Sequence, residues 1–213
     1  MKKSWLALVV LGVIAVAPPA RAVLLEADTK SYPVTANHRV RLEFPVGELR
    51  VVPNDDTHVR LSLRVKCRGG TERCEERASR LEIESSDKNG VLKIKVTGFP
   101  KFNNGGFNLI GELQVPRALA LDLEMGVGDL NIDGLEGDLD VELGVGDADI
   151  YAPVAKTRSV EIDTGVGDAS IRGAGTRTSS RGFIGRSTAW NDGPGRSTVR
   201  LNVGVGDATV HLN

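Results

Sequence analysis

Gly126-Val127-Gly128-Asp129 recurs as Gly144-Val145-Gly146-Asp147, Gly165-Val166-Gly167-Asp168 and Gly204-Val205-Gly206-Asp207. The starts lie 18, 21 and 39 residues apart, so the last gap is close to two periods. The flanks recur too: Val141-Glu142-Leu143 precedes the second copy and Ala148-Asp149-Ile150 follows it, with Val160-Glu161-Ile162 and Ala169-Ser170-Ile171 around the third. Side chains of a strand alternate between faces, so the parity of the apolar positions reports the buried face. Before the second copy that set is odd (Val141, Leu143, Val145), and after it the set is even (Ala148, Ile150). The flip falls between Gly146 and Asp147. One extra residue enters there, as a bulge or corner requires, and glycine supplies the backbone freedom. A corner recurring about every 20 residues, with strands on both sides, predicts an all-β, single-domain β-solenoid in which each turn adds one thin aliphatic layer.

Outside that pattern, residues 1–22 read as a signal peptide. Lys2 and Lys3 form a basic start, Trp5 to Ala17 an apolar run too short for a comfortable membrane span, and Ala20-Arg21-Ala22 a small-x-small cleavage site. Residues 23–213 are then the repeat domain, long enough for one core, exported to the periplasm or the extracellular cell envelope. Without Lys2, Lys3 and Arg21, 24 basic residues face 28 acidic ones, a charge of −4. That balance speaks against nucleic-acid binding, and no second long apolar run predicts a transmembrane segment.

An altered first module is visible where Val40, Leu42, Phe44 and Val46 give way, after Gly47-Glu48, to Leu49 and Val51. Cys67 and Cys74 are the only cysteines, and in an exported chain they read as a disulfide beside a short helix, Glu72 to Arg80. Asp87-Lys88-Asn89-Gly90 between two alternating runs predicts a type I′ hairpin. Phe99, Phe102 and Phe107 are interleaved with Lys101, Asn103 and Asn104. They are candidate ligand-contacting loop residues, the plainer reading being a loop that covers the side of the stack. Trp190, in the irregular segment between the third and fourth motifs, is a second candidate contact, and Gly185 near the middle of that gap suggests a worn repeat. The last strand, Thr209 to Leu212, is expected to be an edge able to pair with another chain.

In these features the chain resembles the bacterial putative-adhesin family of β-strand repeat proteins. The features are the early Val46-Gly47-Glu48-Leu49-Arg50-Val51, the Leu113-Gln114-Val115-Pro116 entry and the ladder from Gly128-Asp129 to Gly206-Asp207. The resemblance spans roughly Thr35 to Asn213 and implies a right-handed β-helix, an envelope location and no catalytic residues.

The corner aspartates, Asp129, Asp147, Asp168 and Asp207, are candidate metal ligands. Neighbouring turns would set them about 4.8 Å apart, where like charges repel unless water, N–H groups or cations offset them. A calcium ladder is the sharper reading; aspartate bonding its own backbone at a turn is the ordinary one. The Gly-x-Gly spacing does not form a dinucleotide loop, because a strand rather than a helix follows Gly128. His38, His58 and His211 lack metal-ligand spacing, and His211 is expected to face solvent. A polysaccharide lyase or hydrolase could be assembled from Arg172, Arg181, Arg186 and Asp192, but no spacing demands it. The expected function is therefore non-enzymatic binding, adhesion or scaffolding, with no cofactor and with an envelope protein or glycan as partner.

Overall fold

The computed structural model describes residues 23–67, 71–99, 107–180 and 185–213. The signal-peptide expectation, Phe102, Arg181 and the Phe183-Ile184 pair lie outside them. Among the described residues, fifteen strands and one short helix follow one another. They are β1 (Val23–Pro33), β2 (Arg39–Asn54), β3 (His58–Cys67), α1 (Thr71–Ala78), β4 (Glu82–Lys88), β5 (Val91–Thr97), β6 (Phe107–Pro116) and β7 (Ala120–Asp133). Then come β8 (Leu139–Val145), β9 (Ala148–Ala152), β10 (Thr157–Val166), β11 (Ala169–Gly173), β12 (Thr176–Ser180), β13 (Arg186–Trp190), β14 (Ser197–Val205) and β15 (Ala208–Leu212).

All fifteen strands belong to one sheet, folded along a line of corners into two wings. The first wing runs β4-β5-β2-β7-β8-β14-β10-β13. The second runs β1-β3-β6-β2-β7-β9-β15-β11-β12. β2 and β7 are long enough to pass through the corner and serve both wings, while the later repeats break there into β8/β9, β10/β11 and β14/β15. The alternation read from the sequence is obeyed: Leu121, Leu123 and Met125 are buried before the corner, Leu130 and Ile132 after it, and both wings feed one core.

The corner is made by glycine for two separate reasons. Gly47, Gly128, Gly146, Gly206 and Gly167 all hold φ between +134° and +139°, a region side chains avoid. Each is also pressed against its neighbour: a Cβ on Gly146 would lie 1.8 Å from the Gly128 carbonyl oxygen, and one on Gly206 1.9 Å from that of Gly146. Corners can stack in register only if no side chain intervenes.

Two expectations about the architecture are corrected. The sheet is not a closed right-handed β-helix: β1, β4, β12 and β13 each have a single strand neighbour and leave it open. Nor are the repeats stacked in chain order. The parallel order is β2, β7, β8/β9, β14/β15, β10/β11, so the last repeat lies between its two predecessors. The cause is local. After β11 the chain turns at Gly173-Ala174-Gly175, where Ala174 has φ 48°, and returns antiparallel as β12 on β11 and β13 on β10. That return occupies the outer side of the third repeat. The Gly193-Pro194-Gly195 segment then crosses the start of β10, with the N–H groups of Gly193, Gly195 and Arg196 donating to the carbonyls of Arg158, Thr157 and Lys156. β14 is thereby delivered to the inner side.

It follows that the worn repeat expected around Gly185 is an antiparallel cap. The C-terminal strand expected to be a free edge is paired on both sides, with β9 and β11, so self-association through Thr209 to Leu212 has no edge to use. The other end is capped by the β4–β5 hairpin, whose Asn89 and Gly90 have φ 55° and 76°, as a type I′ turn requires, and by β1 and β3. A disulfide joins Cys67, at the end of β3, to Cys74 in α1.

Candidate functional site

Stacking in register turns each residue of the Gly-Val-Gly-Asp motif into a file running across the strands. The acidic file reads Glu48, Asp129, Asp147, Asp207, Asp168, with the last two in reverse chain order. Two of these carboxylates, those of Asp147 and Asp207, reach across to the neighbouring repeat. Asp147 Oδ1 accepts the backbone N–H of Asp207 at 2.9 Å, and Asp207 Oδ1 accepts that of Asp168 at 2.8 Å. Each of these carboxylates fastens the next repeat rather than its own. Among the described residues no group of three or more His, Cys, Asp or Glu side chains is arranged to hold a metal ion.

The valine file departs from the alternation of the strands. The parity of the apolar positions places Val145 in the inward set, but Val127, Val145, Val205 and Val166 are 45%, 45%, 46% and 40% exposed. They stand side by side, continued by the half-buried Val46, as a ridge along the fold line. The inward alternation ends at Leu143, and the corner turns Val145 outward. The signal that could have revealed this is the glycine on each side of every such valine: a buried valine needs no such neighbours, whereas a corner valine does.

Beside the ridge the outward file Gly126, Gly144, Gly204, Gly165 carries no side chains and leaves an open groove of about 740 Å³. Its far wall includes Glu124, Glu142, Asn202 and Asp163, and Arg186 stands at the β13 end. At the β5 end Glu43 accepts from Lys93 and, at 2.8 Å, from Lys95. Those two ammonium groups hold its carboxyl below the usual carboxylate value. Glu124 and Glu142 are in register and exposed. The ridge is therefore an apolar line between acidic margins.

The aromatic residues proposed as contacts are elsewhere and differently employed. Phe107 is buried at the start of β6 and meets Phe99 edge to face, with ring centroids 5.4 Å apart. Trp190 is buried on β13 opposite Val160. These residues cover the ends of the core, because a large ring at an inward parity gains more by burial than by exposure. His211 does not simply face solvent: its ring stacks on Tyr151 at 4.6 Å, with Nε2 3.5 Å from Asp149. His38 is held by Thr35 and Asp87, and His58 lies beside Asp56. Arg172 donates to Ser170 on the outer face of β11, whereas Arg186 shares the inward parity of Thr188 and Trp190 on β13. Of the three arginines considered for a catalytic group, Arg181 lies outside the described residues, and Arg172 and Arg186 lie on β11 and β13, in different wings of the sheet.

This geometry, parallel repeats folded at glycine corners with antiparallel caps, has counterparts. The family described as "N-terminal domain of toast_rack, DUF2154" matches residues 26–172. The chain belongs to this family. The matched stretch contains the first three motif copies and ends within β11, so the caps β12 and β13 and the inserted last repeat fall outside it. Among solved structures, a putative cell adhesion protein of Clostridium sporogenes is 17% identical and covers 87% of this chain and 99% of its own, with TM-score 0.53. It shares the fold. A putative adhesin of Bacteroides fragilis covers 91% of this chain and 100% of its own at 12% identity, but its TM-score of 0.24 carries no argument. No curated protein matches this chain in sequence. The resemblance read from the repeats is thus shown at the level of family and fold, by the matched family and the Clostridium structure. Among the described residues no helix is long and apolar enough to cross a membrane.

Proposed function

We propose that this is an exported envelope protein that acts by adhesion-type binding and not by catalysis. The observation that carries the reading is the in-register stacking of the corner motif, which sets chemically identical side chains in files at one-strand spacing. Repetition of like groups suits many weak contacts summed along a surface, which avidity converts into useful affinity. Catalysis needs unlike groups converging on one point. The fold likeness to a putative cell adhesion protein supports the same reading, and the Cys67–Cys74 disulfide fits an oxidising compartment. A leader over residues 1–22 would deliver the chain there, and amino-terminal sequencing of the exported protein should begin at Val23.

The purified chain on beads should retain an envelope fraction in a saturable way while releasing no reducing ends from polysaccharides. Turnover of a glycan, or failure to retain any envelope component, overturns the reading. No cofactor enters this proposal. Added calcium should leave the melting temperature unchanged, and a rise would restore the aspartate file as a cation ladder.

A further inference from the structure

We infer that the valine ridge docks an extended, basic polypeptide segment, whose apolar side chains meet the valines while its lysines or arginines reach the carboxylates on either margin. The inference rests on the binding reading above and assigns it a place and a partner chemistry.

Four of the five large apolar side chains left exposed among the described residues are Val127, Val145, Val166 and Val205, all on this ridge; the fifth, Leu24, is on β1. A continuous exposed apolar line is unusual on a surface otherwise this polar, and such lines mark interaction sites. The corner does not need valine for its shape, which the two glycines supply. Threonine, isosteric and equally suited to strands, would satisfy the backbone and the water.

The margins select the occupant. Glu124, Glu142 and Asp163 line one side, and Glu48, Asp129 and Asp147 lie on the other. An anionic bilayer is repelled by both margins. A second copy presenting the same ridge would set carboxylate against carboxylate. An extended chain can set its apolar side chains on the ridge while the long, flexible stems of its lysines or arginines bend back past the backbone to the carboxylates, and the side-chain-free glycine groove lets its backbone approach closely. β-Augmentation is not the mode, because β8, β14 and β10 have strand partners on both sides; contact is through side chains.

The test uses the whole exported chain and a synthetic octapeptide of alternating lysine and valine. An octapeptide of alternating glutamate and valine and vesicles of phosphatidylglycerol are the comparisons. The basic peptide should bind, weaken as salt is raised, and lose about tenfold or more in affinity when the four exposed valines become threonine, since apolar contact is removed at each site. The Glu142→Lys variant, altered only on the exposed margin, should also weaken it, and it serves if the fourfold variant does not fold. The acidic peptide and the vesicles should not bind.

Equal binding of the acidic peptide, binding to the vesicles in preference, or unchanged affinity in a correctly folded Val→Thr variant overturns the inference. Envelope retention that survives the threonine substitutions would do so as well, while leaving the adhesion reading standing.

Discussion

Gly146 illustrates how much a single residue carries at the fold line. It has φ +138°, and a methyl group there would meet the Gly128 carbonyl oxygen at 1.8 Å. Gly146→Ala should therefore destabilise the protein by about 3 kcal/mol or more, since both a strained conformation and a backbone clash must be relieved. Gly175 also has positive φ, +74°, but open space where the methyl would go, so Gly175→Ala should cost only about 1 kcal/mol. Urea unfolding of the two variants separates conformation from collision. A similar contrast holds across one peptide bond of β8. Leu143 is buried and Glu142 exposed. Leu143→Asp should cost about 4 kcal/mol by burying an unpaired charge, while Glu142→Lys should melt like the parent. The β5 end gives a pH signature. Hydrogen bonds from Lys93 and then Lys95 lower the pKa of Glu43. Its contribution is thus complete above the ordinary carboxylate range and is lost as pH falls through the depressed value. Glu43→Gln should lower stability slightly at neutral pH, by less than about 1 kcal/mol for so accessible a pair, and flatten that part of the acid limb.

At the level of elements, the caps do what the repeats cannot. A parallel stack leaves unpaired strand edges, which invite further pairing. Here the outermost strands are the antiparallel β4, β1, β12 and β13, rich in Ser, Thr and charged residues: β4 reads EIESSDK and β12 TRTSS. Helix α1, eight residues long, is too short to persist alone. It is held to β3 by the Cys67–Cys74 bridge and packs through Cys74 and Ala78. The double variant Cys67→Ser, Cys74→Ser should lose about 2–3 kcal/mol, the value for so short a closed loop. Hydrogen exchange should localise the loosening to α1 and its junction with β3, leaving β8, β14 and β10 protected.

For the whole molecule, the decisive fact is that the C-terminal repeat is interior. In a stack built in chain order, removing the last repeat would shorten one end and leave the rest standing, because stability is nearly additive along such an array. Here β14 and β15 pair with β8 and β9 on one side and with β10 and β11 on the other. A chain ending before Ser197 should therefore lose cooperative folding altogether, as circular dichroism melting would report. In the intact chain the amides of β15 should be among the slowest to exchange although they lie at the terminus. Retention of a sharp transition in the truncated chain would contradict the interior placement.

The sequence by itself determined the strands, their inward faces and the corner. Leu143 and Ile150 reverse parity around Gly146, and the corner glycines must be glycine because the backbone conformation is local. It also determined the Asn89-Gly90 hairpin and the pairing of the only two cysteines. It hinted at the ridge through glycines on both sides of each valine, but whether Val145 faces in or out depends on the angle between the wings, which no local pattern encodes. Only the tertiary structure decided the order of the repeats. The four motifs are nearly identical, so any could stack on any other. The choice was made by the return of β12 and β13 over the third repeat and by the Gly193-Pro194-Gly195 crossing. Pairing energy between like repeats cannot distinguish neighbours, whereas the space already occupied by a returning chain can.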